Sequence, residues 1–222
     1  MFDDLVKAYN EAVFDTNREQ ALRVVEGAVE AGVSPEDIVF RVIVPAMDHM
    51  LKAVSEDFDA NLAQHFMAAQ IASEVTDAML ARFAAPPALA GRVVIGTARG
   101  DMHSLGKRIV IGCLKVHMVE AIDLGVNVPP ERFVDEAVAR DATVIGVSAM
   151  MSHTARGPQG CLGVRHLLEQ RGLDGRIRIV VGGAPYRFDP QLFKKVEADA
   201  WAEDGVTGAK IIADLVRGGA AA

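Results

Sequence analysis

The residues best suited to chemistry lie in the run Asp101-Met102-His103-Ser104-Leu105-Gly106-Lys107. A carboxylate two residues before a histidine can accept a hydrogen bond from one imidazole nitrogen and leave the other free to bind a metal. A plainer reading has Asp101 capping the following helix and His103 simply solvated; the run alone leaves both readings open. The glycine-containing turn also invites a phosphate-binding reading, but neither G-x-G-x-x-G nor G-x-x-x-x-G-K-[ST] occurs. His103, His117, His153 and His166 have neither zincin nor zinc-finger spacing. One imidazole with one supporting carboxylate suits a metal whose remaining ligands arrive with a cofactor.

Two patterns of hydrophobic spacing position this run. Up to about residue 83 apolar residues recur at three and four, as in Leu5, Ala8, Tyr9, Ala12, Val13 and Ala21, Val24, Val25, Ala28. Ser34-Pro35-Glu36-Asp37 starts a helix that Pro45 kinks or divides, and Asp59-Ala60-Asn61 precedes another from Leu62 through Phe83. Residues 1–85 are therefore expected to form an antiparallel helical bundle. Ala84-Ala85-Pro86-Pro87-Ala88-Leu89-Ala90-Gly91 breaks the pattern, so 86–91 reads as a linker. Over 92–222, β-branched runs alternate with helical stretches: Arg92–Thr97, Val119–Leu124, Ala142–Val147, Ile177–Val181 and a weaker Ala200–Ala202 before a helix near Thr207–Arg217. This predicts an α/β domain, a flavodoxin-like (Rossmann-like) doubly wound sheet of five parallel strands. Functional loops of such sheets gather beyond the carboxyl ends of the strands, which selects Ala98–Arg108, Ser148–Thr154 and Gly182–Tyr186.

Composition narrows the partners. The net charge is −7, with 23 basic and 30 acidic residues and no clustered basic face, so duplex DNA is not expected as a direct partner. The chain shows no signal peptide and no long uncharged apolar stretch, which predicts a cytoplasmic protein with no membrane partner. Cys113 and Cys161 have no CxxC spacing and read as buried thiols on helix faces.

The three segments resemble the cobalamin-binding domains of corrinoid proteins, methionine synthase and the base-off mutases. Resemblance rests on Asp101-x-His103-x-x-Gly106, on Ser148 followed by Met150-Met151 where the family usually carries S-x-L, and on Gly182-Gly183. It extends through Ile122-Asp123-Leu124-Gly125-Val126-Asn127-Val128-Pro129-Pro130, which is similar to a run in the small corrinoid proteins of methyltransferase systems. Departures are Ser104 for a frequent acidic residue, Arg108 where Asn often follows the lysine, and the unusual His153, expected to be a partly exposed loop residue.

The resemblance implies a bound cobalamin, as methylcobalamin or hydroxocobalamin, with its cobalt on His103 and its dimethylbenzimidazole tail in a slot of the sheet domain. His103, Asp101 and Thr154 would be the catalytic group, Asp101 orienting His103 and Thr154 extending the hydrogen-bond chain. His103 would bind and release cobalt as a methyl group comes and goes. Met102, Ser104, Gly106 and Met150 would contact the cofactor. Ser148 would reach the benzimidazole nitrogen and Ser152 the tail, while Gly182 and Gly183 would let the tail approach the backbone and Ala184 would keep the slot narrow. The helix from Leu62 to Gln70 resembles a cap over the upper corrin face, with His65, Phe66 and Met67 as its candidate contacts; core packing is the other reading of Phe66 and Met67, and His65 is the exception, a candidate upper ligand. The implied role is a methyl carrier between a substrate-specific methyltransferase and an acceptor methyltransferase; a homodimer is compatible with it. The rival is a cobalamin-dependent light or cofactor sensor acting through protein partners. A mutase small subunit ranks third, because such chains usually lack the bundle.

Overall fold

The computed structural model describes residues 2–47, 49, 62–84 and 88–218. The chain divides into two compact units, Met1–Ala88 with Lys115–His117 and Leu89–Leu114 with Met118–Ala222. Asp59-Ala60-Asn61, expected before the fourth helix, and Ala85, Pro86 and Pro87 of the expected linker lie outside the described residues.

The first unit is helical among its described residues. Helix α1 (Phe2–Phe14) buries Tyr9, Ala12 and Val13 and carries Asp3 and Asp4 in its first turn, where acidic groups suit the helix dipole. Helix α2 (Arg18–Glu30) starts at Asn17, whose side chain accepts the Gln20 N–H at 3.0 Å, and buries Ala21, Val25 and Ala28 along one stripe. Helix α3 (Pro35–Ile38) is capped by Ser34, which accepts the Asp37 N–H at 3.1 Å. It continues as a π turn over Val39–Ile43, with the Val44 N–H reaching back to the Val39 carbonyl. This wide turn comes immediately before Pro45, a residue that has no N–H and whose ring crowds the preceding turn. The chain therefore stays helical through Pro45 to Met47 instead of dividing there. Helix α4 (Leu62–Leu80) ends before the expected Phe83 and buries Ala68, Ala69, Ile71, Ala72, Val75 and Met79. Paired contacts from Arg82 to Glu26, at 2.7 and 2.8 Å, and from Arg18 to Glu74 join α2 to the α4 region.

The second unit is a five-stranded, all-parallel sheet in the order β2-β1-β3-β4-β5. Its strands are β1 (Gly91–Thr97), β2 (Val119–Asp123), β3 (Val144–Ser148), β4 (Arg178–Gly182) and β5 (Ala200–Ala202). Between them run helices α5 (Leu105–Val116), α6 (Pro130–Ala139), α7 (Ser152–Arg156), α8 (Cys161–Gln170), α9 (Ala184–Phe188) and α10 (Leu192–Lys195), and α11 (Gly205–Val216) closes the domain. Val94, Ile145, Val147, Ile179 and Val181 pack on one face with Phe133, Val134 and Ala137 of α6 and Val164 and Leu168 of α8. Across the other face α11 buries Val206, Ala209, Ile212 and Ala213. Cys113 and Cys161 are free and fully buried, and burial pushes both thiols up to about 12.

The third and fourth strands end one residue later than their apolar runs. Ladder pairing carries them to Ser148 and Gly182, which have no apolar signal but sit opposite each other in register. With Thr97, also paired to Ser148, and Ala202, paired to Gly182, they form a row across the carboxyl edge. The last helix starts at Gly205, earlier than expected, because Asp204 caps it by accepting the Val206 and Thr207 N–H groups at 2.8 Å each.

Candidate functional site

Strand order reverses between β1 and β3, and the loops that leave their carboxyl ends meet there. Asp101 is the centre of the arrangement. Its side chain is fully buried, yet both oxygens are engaged. Oδ1 accepts the His103 backbone N–H at 3.0 Å and stands 2.7 Å from His103 Nδ1. Oδ2 accepts the Met150 N–H at 2.7 Å and lies 3.1 Å from Thr154 Oγ1. The Thr154 hydroxyl also lies 2.9 Å from the Met151 carbonyl, and its single proton serves one acceptor at a time.

Burial pushes the Asp101 carboxyl up, but the donors from His103, Met150 and Thr154 outweigh it and hold the group down at about 2. Asp101 is therefore ionised near neutral pH, which assigns the shared proton to His103 Nδ1. Nε2 makes no hydrogen bond among the described residues, and the His103 side chain is 58% exposed, so that nitrogen is accessible.

Asp101 does not cap α5; it closes a turn on His103 before the helix begins and holds the imidazole by Nδ1, although the ring is largely exposed. Around His103, Met102 at 68%, Leu105 at 38% and Met150 at 39% are exposed large apolar side chains. An apolar rim beside a metal-competent imidazole suits a flat, largely apolar macrocycle that brings its own metal ligands. Among the described residues no group of three or more His, Cys, Asp and Glu side chains could hold a metal ion.

The other residues expected at the site are distributed as follows. Ser104 is partly buried just before α5, and Gly106, in the first turn of α5, faces open space. Ser148 ends β3, and Ser152 is exposed at the start of α7. His153 is exposed, as expected, but on α7 and not in a loop. Gly182 ends β4, where a Cβ would meet only the Ala202 carbonyl at 3.6 Å. Gly183 has φ +121°, and a Cβ there would fall 2.0 Å from the Ala149 carbonyl oxygen. Its missing side chain thus serves the protein's own backbone packing, and Ala184 follows at the start of α9. In the first unit, Met67 is 41% exposed on α4, and the side chain of His65 lies outside the described residues.

Three groups at the site have no counterpart among the residues expected from sequence. Buried Thr97 donates its hydroxyl to the His103 carbonyl at 2.8 Å. Lys107, 3% exposed, pairs with Asp123 at the end of β2. Asn127, in the loop after β2, bonds the His103 loop from outside. Asn127 carried a readable signal, since Asn after Gly125-Val126 is a residue that adopts left-handed turns. The Met150 N–H had none, because any residue but proline supplies it.

Comparison with known proteins is consistent across the chain. A family model described as a B12 binding domain matches residues 91–210, and a second with the same description matches residues 5–80. Dimethylamine corrinoid protein 3 of Methanosarcina acetivorans is 32% identical over 206 residues, spanning 91% of this chain and 92% of that protein. Trimethylamine corrinoid protein 1 of the same organism is 29% identical over 207 residues, spanning 90% and 92%. Among solved structures, a cobalamin-binding protein from Desulfitobacterium hafniense superposes with a TM-score of 0.74 at 22% identity, covering 93% of this chain and 96% of that one. The methanol:cobalamin methyltransferase complex of Methanosarcina barkeri gives 0.73 at 23% identity, covering 98% and 81%. At these identities the two structures show the shared fold.

Proposed function

This chain belongs to the B12-binding family, among the corrinoid proteins of methyltransferase systems, and we propose that it holds cobalamin base-off with His103 on cobalt and carries a methyl group between two partner methyltransferases. The observation that carries the reading is the buried Asp101 carboxylate holding His103 Nδ1 at 2.7 Å while Nε2 stays unengaged and accessible. Bound cobalamin would supply a metal centre that accepts and gives up a methyl group.

The protein's own groups have defined tasks in this reading. His103 Nε2 would hold the metal. Asp101 keeps the Nδ1 proton in place and sets the ring plane. A metal held at Nε2 would occupy the lone pair that a proton would otherwise take, so the two would exclude each other there. Thr154 Oγ1 lies within reach of both Asp101 Oδ2 and the Met151 carbonyl, so its proton can turn toward or away from the carboxylate. Met102 and Met150 would pack against the corrin, and Ser148, Ser152, Gly182, Gly183 and Ala184 would line the place of the nucleotide tail. A Cβ at Gly182 would meet only the Ala202 carbonyl oxygen, at an ordinary 3.6 Å, which leaves room at the end of β4 and supports that assignment.

A carrier contributes no donor pocket of its own, so donor choice would rest with the first methyltransferase and acceptor choice with the second. The test is to load the chain with hydroxocobalamin, reduce it, and follow absorbance on adding methylamine with or without a methylamine-specific methyltransferase. Methylation that requires that enzyme, and reverses with an acceptor methyltransferase, is the expected result. No methylation with methylamine- or methanol-specific enzymes, together with light-dependent partner binding by the alkylated form, would replace the carrier with the sensor.

A further inference from the structure

The Asp101-His103 pair sits in a loop, and a loop by itself holds geometry poorly. What fixes this one is the neighbouring loop after β2. Its backbone first runs alongside β1: the Leu124 N–H donates to the Ile95 carbonyl at 2.8 Å, and the Thr97 N–H donates to the Gly125 carbonyl at 3.0 Å. The Val128 N–H then returns to the Thr97 carbonyl at 2.9 Å, and Ala98 and Val128 form a parallel bridge. Lys107 and Asp123 tie the first turn of α5 to the end of β2, and Asp123 Oδ1 also accepts the Gly125 N–H at 2.8 Å.

On this frame Asn127 makes two bonds to the His103 loop. Its backbone N–H donates to the carbonyl of Asp101 at 3.0 Å, and its side-chain Oδ1 accepts the N–H of Gly100 at 2.8 Å. Asn127 thus holds the Arg99–Gly100 peptide and the Asp101–Met102 peptide, the links just before Gly100 and just after Asp101. It reaches both because its backbone is left-handed, with φ +55°, a conformation that asparagine tolerates better than most residues. Gly100, at φ +83°, turns its N–H outward to meet the amide oxygen. The Asp101 N–H is used within the loop, donating to the Ala98 carbonyl at 3.0 Å. Asp101 is thereby fixed by main-chain bonds on one side and by the four side-chain bonds on the other.

We propose that Asn127 is a positioning residue for the axial ligand: by pinning Gly100 and Asp101 it holds the carboxylate, and through it the His103 ring, in the orientation that presents Nε2 to a metal. The inference rests on the reading of His103 as the cobalt ligand.

Three substitutions separate the side-chain bond from the backbone shape. Asn127→Gly keeps access to positive φ and removes the acceptor; Asn127→Ala removes the acceptor and strains the turn; Asn127→Asp keeps the acceptor. Each is loaded with cob(II)alamin, and two quantities are read: the dissociation constant, and the nitrogen splitting from histidine in the electron paramagnetic resonance spectrum at saturating cofactor. The Gly variant is expected to bind about three- to tenfold more weakly, the range one lost hydrogen bond produces, and to show a broadened or diminished histidine splitting even when saturated. The Ala variant should be weaker still, and the Asp variant should restore the splitting. A Gly variant with wild-type affinity and splitting overturns the inference, as does one that melts earlier yet gives an unaltered splitting once loaded, since that is a purely structural role. Absence of histidine splitting in the unsubstituted chain overturns the ligand assignment and this inference with it; its presence there with no response at position 127 overturns this inference alone.

Discussion

Asp101 shows how a buried charge is made tolerable. Four hydrogen-bond donors surround one carboxylate, and their sum exceeds the cost of desolvation. Because its value in the fold lies near 2, against an ordinary 3.8, its stabilising effect is present above about pH 4 and is lost as pH falls toward 2. Comparing urea unfolding of the apo chain with Asp101→Asn across pH 2 to 7 should show a difference of roughly 2 kcal/mol at neutral pH that shrinks through that window. A difference that stays constant with pH would assign the effect to shape and not to charge. Residue type and spacing singled out Asp101 and His103, and the family resemblance singled out Thr154; the fold joins the three in one hydrogen-bonded group. Sequence did not reveal the Thr97 hydroxyl under the His103 carbonyl or the Met150 N–H on Asp101. Those contacts come from strand register and loop path, which no residue type encodes.

At the scale of elements, the site is a property of the carboxyl edge of the sheet. Thr97, Ser148, Gly182 and Ala202 stand in one row because four parallel strands are paired in register. The alternation of apolar runs with helical stretches predicted these strands, but not that β3 and β4 extend to a serine and a glycine, whose pairing is made by backbone alone. Gly183 is the tightest joint of that edge. Its φ of +121° and the 2.0 Å approach of a Cβ to the Ala149 oxygen mean that Gly183→Ala must displace one of the two loops. We expect a loss of about 3 kcal/mol in urea unfolding and at least tenfold weaker cobalamin binding, because Ala149 adjoins Met150 and its bond to Asp101. Wild-type stability in that variant would mean the loops part freely. Pro45 is the element-scale counterpart in the first unit, where composition predicted a kink or break and the chain met it with a π turn over Val39–Ile43.

At the scale of the whole molecule, matches to B12-binding family models cover both the helical and the α/β unit. Among the described residues no helix is long and apolar enough to cross a membrane. A carrier of this kind should be inert by itself: loaded chain mixed with methylamine and no methyltransferase should show no methylation above that of free cobalamin, and measurable turnover without a partner would make it an enzyme in its own right. All of these roles pass through one proposed bond, from His103 Nε2 to cobalt. The direct measurement is the electron paramagnetic resonance spectrum of the cob(II)alamin-loaded chain prepared with ordinary and with nitrogen-15 histidine. The account predicts a three-line nitrogen splitting that becomes two-line with the label and disappears in His103→Ala; a three-line splitting indifferent to the label would show the benzimidazole still on cobalt and contradict it.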